Sequence, residues 1–377
     1  FRRLGDLGLL GVTVEERFGG SELDPVAAVI VHEELSAADP GFALAYLAHS
    51  MLFANNLQVN GNDAQRAKYL PDACSGKKIC GMCMSEPGAG TDVLGMQTTA
   101  TKKADGYVLY GAKMWIPNGA VSDTELGDTF LVYARLEGQP RSQISMFIVE
   151  KGTPGFSLGQ KIKGKLGMRA STTAELVFED CEVPAENLVG SEGAATVCMM
   201  RNLEIERVTL AAMSVGIARR SNEVKNRYAS ERTSFGKPLR DFGQIQRHIA
   251  ESYAQYMAGR AYTYYPAASK ELQSQGGRLD SDGVKLLTST VGKEIADNLP
   301  AMVRNELAGL PATKQEEFVE EYRRKAKSVG TAYLLWFFLG WHYVYVGKWG
   351  LQFLYWLTLA GVWIWAIVDL FRIPGII

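Results

Sequence analysis

Residues 82–92 read MCMSEPGAGTD, and residues 202–207 read NLEIER. In the first stretch Gly88, Ala89 and Gly90 leave backbone without bulky side chains, so a ligand can approach the chain closely. Ser85 and Thr91 add hydroxyls that can donate or accept. The pattern is not GxGxxG between a strand and a helix, so it does not indicate a Rossmann dinucleotide site. Taken alone, the stretch also reads as a plain glycine turn between strands. In the second stretch Glu204 and Glu206 lie about 200° apart on a helix, so only one can face a given pocket. Cys80 and Cys83 form a CxxC, but no second Cys or His pair at metal spacing accompanies them. They read as two strand cysteines, and no metal site is expected. The 5 cysteines indicate reduced thiols.

The elements around these residues change in texture along the chain. Residues 1–80 read as helical. Asp24 stands where a cap should be, and Val26, Val29, Ile30, His32 and Leu35 follow at helical spacing. Residues 81–190 hold short β-rich runs with Gly, Asp and Asn between them: GYVLYGAKMWI, DTFLVYARLEG, SQISMFIVEKG, GFSLGQKI and TAELVFEDCEV. Their spacing suits a β-barrel or sandwich. From 191 to 298 long helices return, the last of them capped by Asp280 with Val284, Leu287, Val291 and Ile295 on one face. A charged amphipathic helix is expected within 299–328, opened by Thr313 and Glu316 as a capping box. Residues 329–346 and 351–368 then contain no Asp, Glu, Lys or Arg. Each could span roughly 27 Å as a helix, near the thickness of a hydrocarbon layer. Arg323, Arg324, Lys325 and Lys327 before them and Arg372 after them place both ends of a transmembrane hairpin in the cytoplasm. Six of the 7 Trp lie from Trp336 onward, as an interfacial belt would. A net charge of −1 gives no hint of a nucleic-acid partner. Phe1 begins the chain abruptly, so a truncated N-terminus is expected.

Several motifs together are more specific than any one. LGVTVEERFGGSELD (10–24), MCMSEPGAGTD (82–92), KMWIPNG (113–119), KLGMRASTTAELVFEDCEVPAENLVG (165–190) and RTSFGKPLRDFGQIQ (232–246) resemble the acyl-CoA dehydrogenase family in order and spacing. The resemblance covers about residues 1–298. It implies a multidomain α+β fold: a helical N-terminal domain, a middle β-barrel and a C-terminal helical bundle. It also implies FAD between barrel and bundle, an acyl-CoA substrate, electron-transferring flavoprotein as acceptor and a homo-oligomer. Carried over by motif, the cofactor side would comprise Met82, Cys83, Met84, Ser85, Thr91, Trp115, Ile116, Pro117, Arg232 and Phe235. The substrate side would comprise Thr91, Arg141, Ser142, Glu204 and Arg207. Such chemistry needs a base for the α-proton while a hydride leaves the β-carbon for flavin N5. A carboxylate serves if desolvation raises its pKa toward neutrality. In the isovaleryl-CoA dehydrogenase branch the base sits in a helix reading like LxLER before an apolar LAA run, which Glu206 in NLEIERVTLAA matches. The implied activity is α,β-dehydrogenation of a short or branched acyl-CoA.

The sequence departs from that family at three places. Pro117 stands where a Thr hydroxyl is usual, and proline offers neither hydroxyl nor N–H. Gly243 stands where a Gln is usual, with Gln244 and Gln246 nearby. Past GKEIADN, LPAMVRNE replaces a glycine-rich stretch, so the bundle is expected to be incomplete. Residues 299–377 instead resemble the two-helix TM2-domain membrane proteins, through Gly340, Gly347, Gly350 and Asp369 before FRIPG. The alternative to a working dehydrogenase is a fusion that acts only as a membrane hairpin.

Overall fold

The computed structural model describes residues 1–269 and 278–297, all within the first of two units, Phe1–Leu299 and Pro300–Ile377. The expected amphipathic helix at 299–328 and hairpin at 329–377 lie outside the described residues. Among the described residues no helix is long and apolar enough to cross a membrane.

The N-terminal helices are α1 (Arg2–Asp6), α2 (Pro25–Ala38), α3 (Pro40–His49), α4 (Asn56–Asn60) and α5 (Asp63–Cys74). Asp24 caps α2 as expected, its carboxylate accepting the Ala27 N–H at 2.9 Å, with Pro25 pre-set for the first turn. Asp39 repeats the device for α3, accepting from Gly41 at 2.8 Å and Phe42 at 3.1 Å. Between α3 and α4, Ser50–Asn55 widens into a π-turn. On α2, Val29 and His32 are buried, but Ile30 is exposed. The buried stripe runs instead through Ala28, Val29, His32, Glu33 and Ser36, because polar groups that find partners occupy the contact with the next helical layer.

The expected barrel or sandwich resolves into one eight-stranded sheet. Its strands are β1 (Cys80–Cys83), β2 (Thr99–Lys102), β3 (Gly106–Pro117), β4 (Thr129–Leu136), β5 (Ile144–Glu150), β6 (Phe156–Lys161), β7 (Thr173–Pro184) and β8 (Leu188–Val189). The order is β6-β7-β3-β2-β4-β5-β8, with β1 also paired to β4. One side of β4 is shared: β1 runs parallel to its first half and β2 to its end. Phe130, Phe147, Phe156 and Phe178 fill one face, and Phe156 stacks on Phe178 at 5.0 Å. Leu131 and Tyr133 point the other way and join the core shared with the helices.

After the sheet come α6 (Ala195–Glu231), a hairpin of β9 (Thr233–Ser234) and β10 (Lys237–Pro238), α7 (Gly243–Ala267) and α8 (Arg278–Asp297). Asp280 lies inside the first turn of α8 and does not precede it as a cap. The buried face of α8 is Ser281, Val284, Thr288, Val291 and Ile295, while Leu287 is exposed. Small hydroxyl residues occupy that face because the crossing is close: a Cβ on Gly259 of α7 would lie 3.3 Å from the Thr288 methyl.

The α2–α6 crossing is closer still. A Cβ on Gly216 would sit 2.4 Å from the Glu33 carbonyl and 3.0 Å from the Ala37 nitrogen, both backbone atoms that cannot swing aside. Helix propensity alone would make Gly216→Ala stabilising. The clash reverses the sign, and the expected cost is about 1–3 kcal/mol in a denaturant titration. An unchanged or raised midpoint would show that the helices can separate freely.

Candidate active site

The family resemblance puts the chemistry where β1 hands over to the 84–92 loop. That loop is tied to β3: the Met114 N–H donates to the Ser85 carbonyl at 2.9 Å, and Glu86 and Ala89 exchange two backbone hydrogen bonds. Between Lys113 and Ile116 the pairing of β3 with β7 slips by one residue. Without that bulge the pleat would turn Trp115 to the same side as Lys113. With it, Lys113 and Ile116 are both buried, and Trp115 is 52% exposed at a φ of 61°. The strain of a left-handed tryptophan thus accompanies a large aromatic surface facing outward.

Several features of this wall fit a planar, hydrogen-bonding cofactor such as FAD. A Cβ at Gly88 or Gly90 would meet nothing within 4 Å, so the loop backbone borders open space. Ser85 is half-buried and Thr91 exposed, so the loop carries two hydroxyls that are not fully enclosed. The Ser85 N–H has no partner among the described residues. Met82, Cys83 and Ile116 have buried side chains, so only their backbone can face a ligand. Pro117, half-buried at the end of β3, brings no donor. Two open clefts, about 470 Å³ beside Lys103–Val108 and about 250 Å³ between α7 and α8, include none of these residues.

Glu206 lies on α6 and is half-buried. Burial pushes its carboxyl up to about 7, against the opposing pull of Arg207 and Lys285. Tyr133 is an electrostatic neighbour of Glu206, and its hydroxyl accepts from the Asn56 amide at 3.1 Å. Arg207 pairs with Asp282 of α8 at 2.9 Å, joining the helix that carries Glu206 to its neighbour. Glu204 faces elsewhere, as the 200° separation requires: it is 4% exposed, and one carboxylate oxygen has no partner. Arg141 and Ser142 are exposed, and the Ser142 carbonyl accepts from Thr196 at the start of α6 at 2.8 Å.

Arg232 and Phe235 lie on the hairpin that follows α6. Phe235 is 94% exposed at its tip, with a φ of 49°. Gln244 and Gln246 are exposed in the first turn of α7.

Sequence reading missed two supports of this wall. Lys113, fully buried, donates to Glu86 at 2.8 Å and to the Met84 carbonyl at 3.1 Å. Glu86, 4% exposed, also accepts the Gln97 N–H at 2.6 Å and the Thr98 N–H at 3.0 Å. Burial alone would raise the Glu86 carboxyl, but Lys113 and these donors outweigh it and hold it below its ordinary range. Asn118, at a φ of 61°, donates to the carbonyls of Ala45 and Cys80 and ties the end of β3 to α3 and β1. A lysine inside an otherwise apolar strand was the available signal for the first.

The acyl-CoA dehydrogenase N-terminal, middle and C-terminal domain models match residues 1–77, 81–181 and 196–329. The last match runs beyond residue 298, where the motif resemblance stops. The TM2 domain model matches 325–371. Mitochondrial isovaleryl-CoA dehydrogenase of Pongo abelii is 40% identical over 299 residues, 78% of this chain and 69% of that protein. Mitochondrial 2-methylacyl-CoA dehydrogenase of Solanum tuberosum is 39% identical over 300 residues, 78% of this chain and 70% of that one. Butyryl-CoA dehydrogenase from Megasphaera elsdenii superposes with a TM-score of 0.75 at 33% identity, covering 83% of this chain and 82% of that one.

Proposed function

The chain belongs to the acyl-CoA dehydrogenase family, and from that premise we propose that it oxidises a short, branched acyl-CoA thioester at its α and β carbons. It is an oxidoreductase acting on acyl-CoA. The isovaleryl and 2-methylacyl relatives differ in branch position at nearly equal identity, so the reading is of a class, with isovaleryl-CoA as first candidate. The observation that carries it is Glu206, a half-buried carboxyl whose pKa lies near 7. A base that removes a weakly acidic α-proton works best when its pKa matches the ambient pH.

FAD, when bound, would accept the hydrogen and electron pair leaving the β-carbon. The chain's own residues do the rest. Trp115 and the 84–91 backbone offer a flat face and donors for the ring, with Ser85 and Thr91 adding hydroxyls. Arg232 and Phe235 extend the cofactor side from their hairpin. Glu206 holds the α-proton on a carboxylate oxygen after transfer. Arg207, anchored by Asp282, fixes the turn of α6 that aims Glu206. Arg141, Ser142 and Thr91 are exposed and available to the polar end of the thioester. Glu204 is left out of this set, because it is buried on another side of α6. Electrons would pass on to electron-transferring flavoprotein, and the enzyme would work as a homo-oligomer.

A second reading is favoured by the TM2 match: a membrane protein whose flavoprotein part lies on the cytoplasmic side, with or without catalysis. The visible absorption spectrum of the detergent-purified full chain separates the two. A bound-flavin spectrum that bleaches on anaerobic addition of isovaleryl-CoA is expected. Bound flavin that does not bleach with any short acyl-CoA would remove the dehydrogenase reading. Absence of flavin would leave the membrane reading alone.

A further inference from the structure

The ammonium of Lys113 serves two oxygen acceptors at once, with the Met96 sulfur as a third, longer partner at 3.8 Å. It donates to the Glu86 carboxylate at 2.8 Å and to the Met84 carbonyl at 3.1 Å. That carbonyl and the Ser85 N–H belong to the same peptide unit. The groups on either side are engaged: the Ser85 carbonyl accepts from Met114 at 2.9 Å, and the Glu86 N–H donates to Ala89 at 3.0 Å. The Ser85 N–H has no partner among the described residues. A cation on the oxygen of a peptide draws electron density through it and makes its N–H a stronger donor, more so away from water.

We propose that Lys113 is a positioning residue that strengthens the Ser85 amide through the Met84–Ser85 peptide, so that this amide binds electron-rich reduced flavin more tightly than oxidised flavin. The proposal rests on the reading that residues 82–91 face the FAD ring. Glu86 has a defined part in it. A fully buried ammonium without a counter-charge tends to lose its proton. Glu86 keeps Lys113 charged and is itself held in place by the Gln97 and Thr98 amides. The cation is enclosed behind the strand, so its effect reaches the ring through a fixed peptide and without solvent screening. Three sequence features meet here: the lysine of KMW, the glutamate of SEPG and the glycines that leave the loop uncovered.

The test compares wild type, Lys113→Arg and the double variant Glu86→Gln/Lys113→Met. Each is purified with its flavin and titrated anaerobically with dithionite against a reference dye. This gives the ratio of reduced-flavin to oxidised-flavin affinity without any turnover. The double variant replaces a buried ion pair by neutral groups of similar volume, a change that folded proteins often accept. Its ratio is expected to fall about tenfold, the scale of one lost charge-assisted hydrogen bond. Lys113→Arg keeps the charge and should stay near the wild-type ratio. An unchanged ratio in the double variant overturns the proposal. Equal losses in both variants, variants that fold without flavin, or variants that do not fold also overturn it, since the pair would then only hold the loop. Wild type that binds and bleaches while the variants fail in these ways leaves the dehydrogenase reading intact. Wild type without flavin ends both.

Discussion

Glu206→Gln is expected to lower kcat for isovaleryl-CoA by about 10²–10⁴-fold while leaving bound flavin in place. Glutamine keeps the size and most of the packing of the side chain but cannot take a proton. The wild-type pH profile should identify the same group. Burial raises the Glu206 carboxyl to about 7. Below that value the group is protonated and cannot act as a base, so activity should fall as pH drops through 7 and level off above it. The ordinary value for a glutamate carboxyl is 4.5, and a limb there would mean that the base is solvated or lies elsewhere. Stopped-flow reduction of the flavin at a series of pH values measures this without interference from the electron acceptor. Glu204→Gln is the matched control. Glu204 lies about 200° around the helix and is buried, so the limb near 7 should persist in that variant. If Glu204→Gln abolishes the limb and Glu206→Gln does not, the assignment is inverted.

What could be read from sequence follows from how far apart the cooperating residues lie. The Asp24 cap acts on an amide three residues away, and the β-rich runs from GYVLYGAKMWI to TAELVFEDCEV each concentrate strand-forming residues within one short segment. Both are local signals, and both became the elements expected. The short strand β2 was missed, because four residues of TATK carry little pattern. Apolar faces were drawn too generously. Ile30 and Leu287 fit a helical stripe but lie on its edge, while Ser36, Ser281 and Thr288 fill the contacts because those helices pack closely. At the site, motif spacing could mark Trp115 but not its outward turn, which depends on a register slip against β7, a strand some sixty residues later. The Glu86–Lys113 pair was out of reach for the same reason: nothing in SEPG or in AKMW shows that the two charges meet. The end of the dehydrogenase resemblance, expected near 298, is drawn differently by the comparisons: relatives align over about 299 residues, whereas the C-terminal domain match continues to 329.

Lys113→Met alone is expected to cost about 3–5 kcal/mol of stability and to release the flavin, in contrast to the double variant. The single change removes the cation that holds down a carboxylate of 4% exposure and leaves that charge with only two backbone donors. It also frees the Met84 carbonyl, so the loop before Trp115 loses its anchor to β3 on one side. Adding Glu86→Gln removes the stranded charge, and most of the lost stability should return. With the Glu86→Gln single variant added, the complete cycle measures the coupling of the pair, on the order of 0.5–3 kcal/mol. The pH dependence gives an independent check through its sign. In wild type Glu86 is held below its ordinary value of 4.5, so its contribution is present above that pH and is lost as pH falls. In Lys113→Met the carboxyl is buried without a cation and its pKa moves upward. Its contribution then reverses: the variant becomes less stable as pH rises from the acid side and partly recovers on acidification. Denaturant midpoints at pH 5 and 8 for both proteins decide the matter. Parallel changes in the two would mean that Glu86 is not ionised in the folded protein, and the pair would have to be redrawn as a neutral hydrogen bond.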